Sequence, residues 1–181
     1  MDARIIKTKR KIKDALIKLL QEKPIHEVSV TEICKTAEVT RNSFYSHYSI
    51  PLDVLSEIID ELCETLFAKL RACDTSEEAL IVACKYTKEH AVEYKTIMRN
   101  KGDRFILEKI IEHPMTNTIY NLEESNEITK EDISIIRDYM IYGSAALIMK
   151  WLENDMPVSP EVIGKTINST SKRLLKGLLK D

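Results

Sequence analysis

Glycine is scarce in this 181-residue chain, which has only four: Gly102, Gly143, Gly164 and Gly177. None falls in the first hundred residues, and no two are close together. The glycine-rich phosphate cradles GxGxxG and GxxxxGK are therefore missing, and the nucleotide enzymes built on them are excluded. Many-turned β-architectures are disfavoured as well, because their tight turns call for glycine or asparagine. The cysteines, at 34, 63, 73 and 84, show no CxxC spacing and no accompanying His-x-x-x-His. No zinc site is expected, only small buried thiols in a reducing compartment. Met1-Asp2-Ala3-Arg4 leads into basic residues without an apolar core, so no secretory signal is expected. The longest mostly apolar stretch, Met140 to Met149, is too short to span a bilayer. These absences predict a cytoplasmic protein with no membrane partner and no cofactor.

Hydrophobic residues make up 44% of the chain and charged residues 31%, the balance of a globular protein with a real core. The net charge of −2 is unevenly spread. Residues 1–50 carry ten Lys and Arg against six Asp and Glu, a net +4, which leaves −6 for the rest. A basic first quarter on an acidic body suits a head that binds a polyanion. It also suits a solvated charged face.

The periodicity is helical from end to end, and the predicted fold class is all-α. Ile12, Leu16, Leu19 and Leu20 share one helix face, and Pro24 ends that helix. Ser29 and Glu32 form a capping box for a short helix over 30–37. Thr40 caps a second short helix over 41–47. Pro51 sits in the first turn of a longer helix. Asp74-x-x-Glu77 opens a helix to about 90, a short segment follows to about 100, and residues 103–123 are helical in pattern. Thr129-x-x-Asp132 opens a long helix to about 154, and Ser159-Pro160 opens the last.

Two short helices joined by a tight turn and preceded by a longer one describe a helix-turn-helix in a three-helix head. Ile33, Ala37, Phe44 and Tyr48 face inward, and Val39 plugs the turn. Arg41, Asn42, Ser43, Tyr45 and Ser46 are left toward solvent. Arg and Asn suit base edges, while Ser, Tyr and His suit phosphates. Thr31, at the start of its helix, suits either a capping role or a phosphate. His47 is open to a structural role. Lys9 and Arg10, with Arg4 and Lys7, read as a basic tail or as an arm along the phosphates.

Three runs, Thr8 to Leu16, Val28 to Ala37 and Val39 to Tyr48, resemble the N-terminal domain of TetR-family transcriptional regulators. The Phe44-Tyr45-x-His47-Tyr48 block at its distance from Val30-Thr31-Glu32-Ile33 carries the resemblance. Gly143, Trp151-Leu152-Glu153-Asn154 and Ser159-Pro160-Glu161 are similar to the last two helices of many members. The resemblance implies a homodimer that binds double-stranded operator DNA, through Thr31, Thr40 to Ser43 and Tyr45 to His47, and releases it when a small molecule enters the larger domain. Two positions depart from the family pattern. Glu38 stands where members usually have glycine. Pro51 stands where they usually have a lysine that approaches a phosphate.

The expected division is a DNA-binding domain over 1–50 and a ligand-binding and dimerisation domain over 51–181. Ile136, Met140, Gly143, Leu147 and Trp151 form one apolar stripe, and Ile163, Ile167, Thr170, Leu174 and Leu178 another. Two such helices per subunit suit a four-helix dimer interface, although the stripes alone serve a core equally well. Phe67, Tyr86, Met98, Phe105, Met115, Tyr120, Tyr139 and Tyr142 could line a pocket for a small hydrophobic effector; each also reads as plain core. The expected function is a ligand-responsive DNA-binding repressor without enzyme activity. The rival is a TetR-fold adaptor that works through protein partners. An α-helical enzyme would need an acid-base or metal constellation, and the sequence offers none.

Overall fold

The computed structural model describes residues 3–101, 108–110 and 129–178. Helix α1 runs over Ala3–Leu20, and a single 3-10 turn, Ile25–Glu27, leads to α2, Val30–Ala37. Helix α3 follows over Arg41–Tyr45, then α4 over Pro51–Leu70, α5 over Ser76–Glu89 and α6 over Ala91–Lys101. The C-terminal pair is α7, Lys130–Glu153, and α8, Pro160–Leu178. No strand occurs among the described residues, and the all-α class holds. The expected helix over 103–123 lies almost wholly outside the described residues.

Local chemistry sets most helix starts. Ser29 accepts from the Glu32 N–H while the Glu32 carboxylate accepts from the Ser29 N–H, a full capping box. Thr129 and Asp132 repeat it at α7. Thr40 accepts from the Ser43 N–H at 3.1 Å, and Ser159 from the Val162 N–H at 3.3 Å. At α5 the capping residue is Thr75, which accepts from the Glu78 N–H at 3.2 Å, one residue later than the Asp74 expected from sequence. Helix α3 also stops two residues short of the expected 47.

The chain divides into two compact units. The first comprises Met1–Leu62 with Val92–Gly102, and the second Cys63–Ala91 with Asp103–Asp181. The first unit thus extends beyond residue 50, through the first three turns of α4, and takes in α6. Its core gathers Ile12 and Leu16 of α1, Ile33 of α2, Phe44 of α3, and Val54 and Leu55 of α4, all fully buried. Burial of a side chain such as Phe44 is worth about 1.5–3 kcal/mol. Helix α6 is tied in where Asn100 Oδ1 accepts from the Ile25 N–H at 2.8 Å.

In the second unit α8 packs along α5, and α7 packs on both. The α5–α8 contact is close because residue 164 has no side chain. A Cβ there would lie 2.9 Å from Ile81 Cγ1 and 3.0 Å from the Ile81 Cα and N. Asn168, buried on α8, accepts from Ser76 Oγ and donates to Glu77, each at 3.0 Å.

Glu38 ends α2 in the left-handed region, at φ 53° and ψ 47°. A Cβ in that conformation costs about 1–2 kcal/mol. The extra freedom that glycine gives the unfolded chain offsets roughly 0.4–1 kcal/mol of it. Glu38→Gly is therefore expected to raise the thermal midpoint by roughly 1–4 °C. A midpoint that stays or falls would show that the Lys11 contact to Glu38, 3.9 Å away, outweighs the backbone cost.

Candidate nucleic-acid interface

Helices α2 and α3 present one continuous polar surface. Thr31, Arg41, Asn42, Tyr45 and Ser46 are exposed, and Tyr45 is 56% accessible. Phe44 and Tyr48 point the other way, into the core, and the Tyr45 ring stands edge-on to Phe44 at 5.6 Å. An Arg41 guanidinium N–H donates to the Thr31 hydroxyl oxygen, which joins the two short helices across their outer face. That bond leaves the Thr31 O–H free to turn toward an acceptor at the start of α2, where unpaired backbone N–H groups favour an anion. Ser46 Oγ donates to the Ser43 carbonyl at 2.8 Å, and Ser43 itself is half-buried. The Thr40 hydroxyl is engaged as the α3 cap. His47 is half-buried against the Tyr48 ring, with centroids 6.4 Å apart.

Of the basic-arm residues, Arg10 is exposed, 4.0 Å from Asp14 on its own helix. Lys9 turns inward instead. Its Nζ lies 2.7 Å from Glu57 of α4 and 5.3 Å from the centre of the Tyr48 ring. One turn along α1, Lys13 Nζ lies 2.6 Å from Glu57 and 2.5 Å from Glu61. Burial works to raise the Glu57 carboxyl, but the ammonium groups of Lys13 and Lys9 overcome it and hold it at about 2. Because the folded value lies below the ordinary 4.5, the cluster stabilises the fold above that pH and loses this contribution as pH falls toward 2. Glu57→Gln is thus expected to be less stable than the parent in urea at roughly pH 6, with a gap that is smaller at roughly pH 3 and closes only toward pH 2 and below. A gap that is the same at both values would refute the pairing.

Pro51 brings no cation to the start of α4. The Asp53 carboxylate caps it instead, accepting from the Ser49 and Ile50 N–H groups at 2.8 and 3.1 Å.

The second unit carries a shallow apolar groove of about 430 Å3 between α7 and α8. Met140, Gly143 and Leu147 line it from α7, and Ile167, Thr170 and Leu174 from α8. These six belong to the two stripes read from sequence. The other stripe residues stand elsewhere. Trp151 is buried within the protomer, its ring N–H donating to the Val158 carbonyl at 3.0 Å. Ile136 packs beside Met140 and Ile141 with Ile110 and Leu175, and Ile163 is half-buried. The Leu178 side chain lies outside the described residues.

Five of the residues expected to line a pocket fall among the described residues. Tyr139 and Tyr142 are exposed on the groove. Phe67 and Tyr86 are buried in the second unit, and Met98 is buried in the first. Phe105, Met115 and Tyr120 lie outside the described residues.

Residues 12–49 match the family model for the "tetR family" of bacterial regulatory proteins. Residues 74–173, more than half of the chain, match a second, described as "Transcriptional regulator C-terminal region" of the TetR type. The chain belongs to the TetR family of transcriptional regulators. It is 24% identical over 167 residues to the HTH-type transcriptional regulator YxbF of Bacillus subtilis (strain 168), covering 86% of this chain and 42% of that one. It is 28% identical over 110 residues to DhaS of Lactococcus lactis, a dhaKLM operon transcriptional activator, covering 59% and 53% respectively. The chain thus spans about half the length of these curated relatives. Among solved structures, a TetR regulator from Streptococcus agalactiae matches with a TM-score of 0.69 at 24% identity, over 94% of this chain and 96% of that one. A dihydroxyacetone kinase operon activator DhaS matches with a TM-score of 0.65 at 20% identity, over 93% and 96%. By name these relatives are transcriptional regulators and operon activators.

Two features of this TetR-family chain escaped the sequence reading. The Lys–Glu cluster was visible only as matched spacing, with Lys9 and Lys13 four apart on one helix and Glu57 and Glu61 four apart on another. The outward apolar row Ile135, Tyr139, Tyr142 and Ala146 also repeats at i, i+4, i+7 and i+11, beside a stripe that looked like the better interface.

Proposed function

We propose that this chain is an operator-binding regulator that docks two copies of α3 on a palindrome as a homodimer. The observation that carries the reading is the Thr31–Arg41 pair on an exposed polar face. It holds an arginine in place at the edge of a helix-turn-helix, beside exposed Asn42, Tyr45 and Ser46. Ser43, the Thr40 cap, His47 and Arg10 flank that surface. In this reading the head is the DNA-binding part, residues 1–50 in outline, and residues 51–181 serve assembly and response. A second copy would cover the α7–α8 groove, whose exposed Tyr139, Tyr142 and Leu147 are otherwise apolar surface in water. The effector in this reading has a hydrophobic body with one or two polar groups, and Phe67 and Tyr86 are the buried aromatic residues of the second unit proposed to meet it.

Repression asks least of this surface, because a docked dimer obstructs a promoter without touching polymerase. Activation is the second reading, favoured by the activator role of DhaS. The sign is read from a reporter driven by the chain's own upstream DNA, with and without the regulator.

The DNA interface is tested by Arg41→Ala and Tyr45→Phe on duplex containing that upstream DNA. Arg41→Ala is expected to weaken binding by about 1–3 kcal/mol and relax base preference, as loss of a base contact does. Tyr45→Phe should weaken all sequences alike, since a phosphate contact carries no sequence information. Unchanged affinity in both variants would remove this face from the interface and favour the adaptor reading.

A further inference from the structure

The cluster of Lys9, Lys13, Glu57 and Glu61 lies beside the Tyr48 ring and takes no part in the proposed DNA contacts. Four charges are drawn together there between α1 and α4, with three contacts of 2.7 Å or less. Lys9 and Lys13 keep only 27% and 14% of their side-chain surface in contact with water. Both would otherwise add to the positive field of a head whose first fifty residues carry a net +4. Lys9 is also near the recognition helix, with its ammonium over the ring of Tyr48, the residue after His47.

We propose that Glu57 and Glu61 are specificity-determining residues that sequester Lys9 and Lys13 from DNA phosphates, so that the head binds operator without excess affinity for random duplex. The physical basis is the origin of non-specific binding. Each lysine that neutralises a phosphate releases condensed counterions and strengthens binding to any sequence alike. A lysine already neutralised by an internal carboxylate releases none. The two carboxylates occupy the lysines as phosphates would, and the selective contacts of α3 keep a larger share of the total. Glu57 is the main residue, since it holds both lysines, while Glu61 holds Lys13 alone.

The inference rests on the proposed DNA binding and is tested with the full chain on two probes, a random-sequence duplex and one carrying its own upstream DNA, over a range of salt. Glu57→Gln frees Lys9, whereas Lys13 keeps Glu61. Binding of the random duplex should tighten at low salt, and the slope of log K against log salt should steepen by about 0.9 per head. Glu57→Gln with Glu61→Gln frees both lysines and should steepen it by about 1.8 per head. The preference for upstream over random DNA should fall in the same order. Adding Lys9→Gln to Glu57→Gln should return the slope to that of the parent, which a purely structural loss would not do. Circular dichroism at the assay temperature identifies any variant that fails to fold, and Glu61→Gln with Lys9→Glu, which leaves Glu57 with Lys13 as its sole partner, should leave random-duplex binding no tighter than the parent. Slopes that stay at the parental value, or both affinities falling together, would overturn the inference while leaving the DNA-binding reading intact. A parent chain that binds neither duplex would overturn both.

Discussion

Leu147→Glu is expected to convert the protein to monomers and to lower its affinity for a palindromic site by about a hundredfold or more. Leu147 is 52% exposed in the protomer and lines the α7–α8 groove, so its loss removes little from the protomer core. In a two-fold dimer the same patch serves both subunits, and residues near the axis meet their own copies. Two carboxylates would then be buried close together with no partner, at a cost of several kcal/mol. With the dimer gone, the second head no longer benefits from the local concentration set by the first, a factor of about 10²–10⁴. Sedimentation at micromolar concentration checks assembly, and titration of the upstream duplex checks affinity. A dimer that persists with Glu at 147 would place the interface elsewhere.

Gly164→Val should be the most damaging single change in the second unit. Atoms already stand about 3 Å from where its Cβ would be, and two of them belong to the Ile81 backbone, which cannot rotate away. Separating α5 from α8 would also stretch the Asn168 bonds to Ser76 and Glu77. Overpacking of this kind costs about 1–3 kcal/mol, and the thermal midpoint should fall by roughly 3–10 °C. Gly177→Ala is the control, because a Cβ there meets nothing within 4 Å. Equal midpoints for the two variants would mean that the helix pair has slack in it.

Much of the head was legible in the sequence because local rules settle it. The Ser29–Glu32 box, the Thr40 cap and the inward pair Phe44 and Tyr48 depend on residues within a few positions of one another. Glu38 was legible only through the family resemblance, as a residue where members usually have glycine, and its φ is indeed positive. Lys9 was not, since its direction is decided by Glu57, forty-eight positions away. The outward side of α7 was hidden for another reason. Ile133, Met140, Ile141 and Ile148 are buried on it while Ile135, Tyr139, Tyr142 and Leu147 are exposed. A helix that is apolar on nearly every side gives periodicity no contrast to read. Only packing against α5 and α8 determines which side is left over.

The position of Trp151 makes it a natural optical probe. It is the one tryptophan in the chain, buried at the end of α7 with its ring N–H held by Val158 across the turn into α8. Its emission therefore comes from the second unit alone and is silent about α1 to α3. Far-ultraviolet dichroism, in contrast, sums the helices of both units. Melting curves followed by the two signals will coincide if the units unfold as one cooperative block and separate if they do not. An effector that stiffens the body would move the fluorescence transition first, in the unlabelled native protein.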